Sequence, residues 1–409
     1  MTTTARVSTV DPNWKSNEAT GSVSEIFVAG NTVLTQRPDA VVALGREWGR
    51  PLWQRADRNP YSDTQVQVSG SLAVLIDSAP GQAGQLEFEV IDVETGRMVW
   101  QGNASGVDVY ETAIYLRDCG ETCTTMRHDI RDGRPTWPRS IPGHLDSRPS
   151  GFDFGPALPE TPYLAFAPPS PPLSSTVWTR LEPSTGAVRP AYAANYGWGA
   201  LSVGDLLIVP DFDLHVEDGE CPLALQAYDG HTGSVLYTST LYSGFLPKNN
   251  CDGRRTWRMI DGDDDSGTRL RTVTGSRMAA VDAAGAAQLF DLVTGRPVWQ
   301  SGIRGTPYDV DDRSVVVVER GGVAGFALLD VETGEHQRSV PLSDLSPSRL
   351  DLVGDRVVVD GTSGDGSSRV DVYDRTTGRV LASYRGQLLG AGPDWLATKH
   401  GGVLEFHHT

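Results

Sequence analysis

The chain has 409 residues and, with 35 Lys and Arg against 52 Asp and Glu, a formal charge of -17 at pH 7. This excess of acid argues against nucleic acid and anionic membrane surfaces, since phosphate binding needs a cationic field. It suits cationic ligands, divalent metals or basic protein patches, and equally plain solubility.

Hydrophobic residues make up 39% of the chain, enough for a packed core and too many for a disordered one. No run of about 18 apolar residues is available to span a membrane. The first stretch, MTTTARVSTVDPNWKSNEATG, lacks the basic flank and apolar core of a secretory signal. The four cysteines, Cys119, Cys123, Cys221 and Cys251, form no C-x-x-C pair, and the histidines have no zinc-like spacing.

From there the chain repeats one hairpin. Its clearest copy is Ile91–Trp100, I-D-V-E-T-G-R-M-V-W, where Asp92 is placed to accept backbone N–H groups and Gly96 to supply a positive φ. Turn glycines recur at Gly49, Gly96, Gly133, Gly186, Gly233, Gly295, Gly334 and Gly378. An acid stands four residues before seven of these eight, and Thr directly precedes six. Trp53, Trp100, Trp137 and Trp299 stand four residues after, with Tyr237 substituting once. Each repeat holds four short strand-like runs. Pro307–Val310, Ser314–Glu319, Val323–Asp330 and Glu335–Val340 are one set; Arg349–Val353, Arg356–Asp360, Arg369–Asp374 and Arg379–Tyr384 are the next. After the eighth turn, Gln387–Ala391, Asp394–His400 and Val403–His408 give three more strands, and the stretch around Arg6–Trp14 is expected to supply the fourth.

Four-stranded units at this spacing with almost no helix predict an all-β fold, a β-propeller forming a single domain over 1–409. The expected ring has eight blades, seven and nine remaining open, and is closed by N- and C-terminal strands, with residues 1–20 contributing the closing strand. No Trp-Asp dipeptide occurs, so the repeat is not of the WD type. The D-x-x-T-G-x-x-x-W pattern resembles the PQQ-like propeller family, over nearly the whole chain. That family includes quinoprotein alcohol dehydrogenases, the outer-membrane barrel-assembly lipoprotein and many uncharacterised bacterial proteins. The resemblance implies the fold rather than a function, because the motif packs blades: its aromatic is expected to dock on a neighbouring blade. It does not bring pyrroloquinoline quinone (PQQ) with it. The quinone enzymes carry a pair of adjacent cysteines near the cofactor, and this chain has no Cys-Cys dipeptide.

Function is expected where the repeats differ. Aligned on the second strands, the channel-facing position of the first strand reads Phe27, Gln67, Asp108, Leu201, Thr272, Asp309, Asp351 and Leu389. Asp153, between Phe152 and Phe154 in the fourth blade, is expected to join them, and Arg271 to be the cation nearby. Several aspartates around one axis would raise some pKa values and attract a metal, an amine or a cationic side chain. The alternative is a polar channel whose acids are solvated or bonded to amides of the neighbouring blade.

The long segments 167–175, 210–221 and 246–267 fall in loops expected on one face of blades 3–6, with His144 and His215 among the long loops of that face. His215 lies near Asp211, Asp213 and Glu217, as a metal ligand or base would, or as part of a plain polar loop. Asp261, Asp263 and Asp265 have the alternation of a Ca²⁺ loop, but the glycine comes one residue late and the twelfth-place glutamate is missing. Cys119 and Cys123 are close enough to bridge, and Cys221 and Cys251 are placed to meet, which favours an oxidising compartment. Related propellers with such cysteines resemble extracytoplasmic parts of membrane-anchored proteins; four reduced thiols in a cytosolic protein is the other reading.

Two functions follow as expectations. One is a scaffold binding a protein or small ligand through the insertion-rich face or channel. The other is a hydrolase, lyase or cyclase using the channel acids on a cationic or amine substrate.

Overall fold

The repeated motif is a turn whose parts satisfy one another. In the computed structural model, one Asp92 carboxylate oxygen accepts from the Thr95 N–H at 2.9 Å and the Thr95 hydroxyl at 2.7 Å. The Gly96 N–H donates to the Asp92 carbonyl at 2.8 Å, and Gly96 has φ of 66°. The same carboxylate–Thr pair closes the turns at Asp330–Thr333 and Asp374–Thr377. Asx-turn chemistry and a left-handed glycine thus fix where the third strand of each unit reverses into the fourth.

The structure describes residues 11–16, 26–37, 40–56, 64–79, 84–145, 154–156, 160, 164–167, 176–188, 192–194, 201–211, 222–242, 273–320, 325–342 and 344–409. Among them every regular element is a strand, and no helix is long and apolar enough to cross a membrane. Among the described residues four sheets are four-stranded and antiparallel, two have five strands and one has eleven. One of the four-stranded sheets holds Ile26–Ala29, Thr32–Arg37, Ala40–Gly45 and Pro51–Ala56; the next sheet along the chain holds Gln65–Ser69, Leu72–Ser78, Leu86–Asp92 and Met98–Ala104. A later one runs Leu345–Val353, Arg356–Ser363, Ser368–Asp374 and Val380–Arg385, close to the expected bounds. Arg296–Val310 is one long strand: its first part pairs with Ala286–Asp291 and its second with Ser314–Glu319. These are sheets of the propeller type.

Contacts divide the chain into two compact units. One comprises Met1–Ala19, Pro210–Gln226 and Tyr237–Thr409; the other comprises Thr20–Val209 and Ala227–Leu236. In each, successive sheets bury aliphatic faces against each other. In the second unit Leu34, Val41 and Ala43 meet Val66, Leu75 and Ile91; in the first, Val316, Phe326 and Leu328 meet Leu350, Val357 and Tyr373.

The motif's aromatic fastens each sheet to the next. Trp53 donates its indole N–H to the Val93 carbonyl at 2.7 Å, Trp100 to Ile130 at 2.8 Å, Trp137 to Pro183 at 2.7 Å and Trp299 to Val331 at 2.9 Å. The Tyr237 hydroxyl donates to the Leu292 carbonyl in the same way. Every acceptor lies three residues before a turn glycine, and the ring covers that glycine: a Cβ on Gly96 would lie 2.5 Å from Trp53, and one on Gly334 2.5 Å from Trp299. After Gly334 the place of the aromatic is taken by Arg338, whose aliphatic stem covers Gly378.

The last sheet is completed from the start of the chain. Gln387–Gly392, Trp395–His400 and Val403–His408 are joined by Trp14–Lys15, which pair with Phe406 and Glu405. Trp14 stacks on Phe406 at 5.1 Å, and Lys15 meets Glu405 at 2.6 Å.

Two expectations are corrected. Phe154–Pro156 does not form the first strand of the fourth unit; it runs parallel to Val66–Val68. The open edge of Gln65–Ser69 offers unpaired backbone groups, which this segment takes up. The first strand of the fourth unit is instead His144–Leu145, paired with Phe166 and Ala167, so His144 belongs to a strand and not to a long loop.

Candidate functional site

Each first-strand position that the structure describes does fall on the first strand of its sheet. Gln67 and Asp108 stand in one unit, both half-buried. Gln67 lies opposite Val74 on one side and Gly155 on the other, and Asp108 lies opposite Tyr115. Asp309 and Asp351 stand in the other unit and are buried. Asp153, Thr272, Arg271, His215, Asp261, Asp263 and Asp265 lie outside the described residues, as do the loops 168–175, 212–221 and 246–267. Among the described residues no group of three or more His, Cys, Asp or Glu is arranged to hold a metal.

Asp309 and Asp351 belong to a buried polar network. One Asp309 oxygen accepts from the Val310 N–H at 2.9 Å; the other accepts from the Leu352 N–H of the next sheet at 2.7 Å. Asp351 binds Arg349 two residues back through both oxygens, Nε to Oδ1 at 2.9 Å and Nη2 to Oδ2 at 2.6 Å. The geometry is local: alternate residues of a strand share a face, so R-x-D pairs itself. Asp360, on the neighbouring strand, accepts from the Leu388 N–H at 3.3 Å and so ties this sheet to the last one. Burial alone would weaken the charge on Arg349; Asp351, with Asp360 and Asp309 behind it, more than offsets this and holds the guanidinium charged. For Asp360 burial dominates, and its pKa is pushed up to about 6 despite the Leu388 amide and Arg349.

Sequence reasoning missed Arg349, Asp360 and the second pair of this kind, Arg369 with Asp371. The signal available was R-x-D, which occurs on the first and third predicted strands of one unit, at 349–351 and 369–371.

Comparison with known proteins fits this architecture. Residues 243–387 match the family model described as outer membrane protein assembly factor BamB. The repeats are PQQ-like. No curated protein matches the chain. Among solved structures, a eukaryotic initiation factor shares the fold at 11% identity and a TM-score of 0.54, over 92% of this chain and 90% of that one. BamB from Moraxella catarrhalis aligns at 17% identity and a TM-score of 0.43, over 84% of this chain and 96% of that one. A europium-containing methanol dehydrogenase aligns at 14% identity and 0.37, over 95% and 84%.

Cys119 and Cys123 stand directly opposite each other on Ala113–Cys119 and Cys123–Asp129 and are joined by a disulfide. They clip a hairpin instead of forming an adjacent pair. Cys221 and Cys251 lie outside the described residues.

The buried groups of the PQQ-like sheets make stability depend on pH in opposing directions. Burial pulls His407, which lies against Tyr384 with ring centroids 4.3 Å apart, down to about 4. The unfolded chain then takes up this proton first, so His407 costs stability as pH falls from about 6.5 towards 4. Asp360 does the reverse: the folded state takes up its proton first, so stability rises as pH falls from about 6 towards 4. Each effect is on the order of 2 kcal/mol, and together they nearly cancel. Relative to the wild type, urea midpoints of Asp360→Asn should therefore fall between pH 6.5 and 4.5, while those of His407→Phe should rise. Parallel profiles for all three proteins would contradict this.

Proposed function

We propose that the chain is a single PQQ-like propeller domain over 1–409 that acts as a binding or scaffold protein, without bound PQQ, through its insertion-rich loop face. The observation carrying this reading is the use to which the buried first-strand acids are put. Asp309 is spent on the Leu352 amide of the next sheet and Asp351 on Arg349 of its own strand, so both are committed to partners inside the protein. That directs function to the loops, where a rigid repeat scaffold carries its variable residues. The description of the matched family as an assembly factor supports a protein partner. The Cys119–Cys123 disulfide supports an extracytoplasmic setting.

Ring size belongs to the same proposal. The sequence expectation is eight blades, with seven and nine open; the strands of the described residues form seven sheets, one of them eleven-stranded and large enough for more than one blade. Averaged particle images down the axis would count the blades.

The partner is sought by photocrosslinking. A crosslinker at Ser170 or Asp218, in the long loops, should trap a specific protein or ligand, and one at Glu94 in the opposite turn should not. Equal capture at all three positions, or none, would defeat the proposal.

A further inference from the structure

In an antiparallel four-stranded sheet, the hairpin between second and third strands and the crossing to the next sheet emerge at the same end, away from the Asp-Thr-Gly turn. At that end of the last two sheets the described residues form a cleft of about 670 Å³. Its size suits a small ligand or an inserted side chain. The walls come from three segments: the hairpin carrying Asp365 and Ser367, the crossing at Arg385 and Gly386, and the hairpin carrying Lys399 and His400.

The charge in this cleft runs against the chain's own. Arg385 is exposed, and its cross-strand neighbour is another cation, Arg369. Arg369 is taken up by Asp344 at 2.7 Å and Asp371 at 3.0 Å, whereas no carboxylate among the described residues pairs with Arg385. The acid on the wall is turned into its own hairpin. One Asp365 oxygen accepts from the Ser363 hydroxyl at 2.8 Å, the Ser367 hydroxyl at 2.7 Å and the Ser367 N–H at 3.0 Å. These donors, those of Ser367 first, hold its pKa down at about 2. The crossing is as tight as backbone permits: Gly386 has φ of 97°, and a Cβ there would lie 2.3 Å from the Lys399 carbonyl oxygen. This approach sets Arg385 beside the segment bearing Lys399 and His400.

We propose that this cleft binds an oxyanion, a phosphate or carboxylate, carried by a small molecule or by an acidic side chain of a protein partner. The inference rests on the reading of the loop end as the binding face and names the chemistry of its ligand. Arg385, with Lys399 and His400 on the facing segment, lines the cleft with hydrogen-bond donors for an anion, the Arg385 guanidinium being a charge-assisted one.

The test is a titration of the full chain, isotopically labelled at histidine, with inorganic phosphate, citrate and a hexaglutamate peptide. The His400 resonances should move saturably with at least one probe. Arg385→Glu should weaken that binding by about tenfold or more, Arg385→Lys much less, and added salt should weaken it in the wild type. Tighter binding of citrate than of peptide assigns the site to a small molecule; the reverse order assigns it to a partner's side chain. A silent His400 with all three probes, or the same response in Arg385→Glu, overturns the inference. The crosslinks at Ser170 and Asp218 read the wider proposal separately. Capture there with a silent His400 sinks the cleft alone, and a responsive His400 without capture sinks the wider reading alone.

Discussion

Replacing Arg349 by leucine should cost about 3–5 kcal/mol at pH 7.5, read from the urea unfolding midpoint. Arg349 is 6% exposed and Asp351 3%, so the substitution leaves a carboxylate buried, with Asp360 and Asp309 close enough to act on the same charge. A buried pair contributes little net stability when intact, but its loss strands the partner. Two readouts separate this from mere loss of packing. The deficit should shrink as the pH is lowered towards 4.5, because the acids can then take up protons instead of needing a cation. The double variant Arg349→Met/Asp351→Leu, which removes both charges and keeps the volume apolar, should recover most of the loss. A cost below about 1 kcal/mol at pH 7.5 would show that water reaches the pair and screens it.

The second large effect is expected at Gly334. Gly334 and Gly354 have similar backbone angles, φ of 70° and 58°. Alanine at Gly354 meets nothing within 4 Å, so it carries only the left-handed strain of about 1–2 kcal/mol. Alanine at Gly334 carries the same strain and also drives its methyl group into the Trp299 ring, 2.5 Å away. Displacing that ring gives up its burial and its 2.9 Å bond to Val331, so the total should exceed the Gly354→Ala cost by about 2–3 kcal/mol. Trp299→Ala alone should cost about 3–5 kcal/mol. In the Trp299→Ala background, Gly334→Ala should add little more than Gly354→Ala does, since the indole is already gone. Additive losses would mean that the ring and the glycine do not share a joint.

These two experiments mark the boundary of what was legible. Asp92, Thr95, Gly96 and Trp100 lie within nine residues, and the turn they build needs no other part of the chain, so the sheet-forming unit could be read directly. The same locality made the supply of a last strand from near Trp14 readable, as a sheet with three strands and no fourth. The glycine's second role could not be read that way. The ring covering Gly96 belongs to Trp53, and the ring covering Gly334 belongs to Trp299, each tens of residues upstream. Phe154–Pro156 was misplaced for a related reason: its apolar pattern identifies a strand but not the edge it joins. The acids were legible as positions on first strands, but their partners were not. Leu352 contributes only a backbone N–H to Asp309, and any residue but proline has one. Arg349 was hidden by its charge, which on a predicted strand points to the solvent face until the pairing with Asp351 is seen.

The sheet finished by Trp14–Lys15 also sets a timetable. Trp14 pairs with Phe406, and the His408 N–H donates to the Asn13 side chain, so the two sides of one small sheet are made 395 residues apart. A ribosome must deliver the chain as far as Phe406 before this contact can form, and the early segment must wait unpaired through that interval. Closing so long a loop is entropically uphill until Trp14 meets Phe406. A nascent chain stalled before residue 400 should therefore leave Trp14 open to protease, and release of the finished chain should protect it.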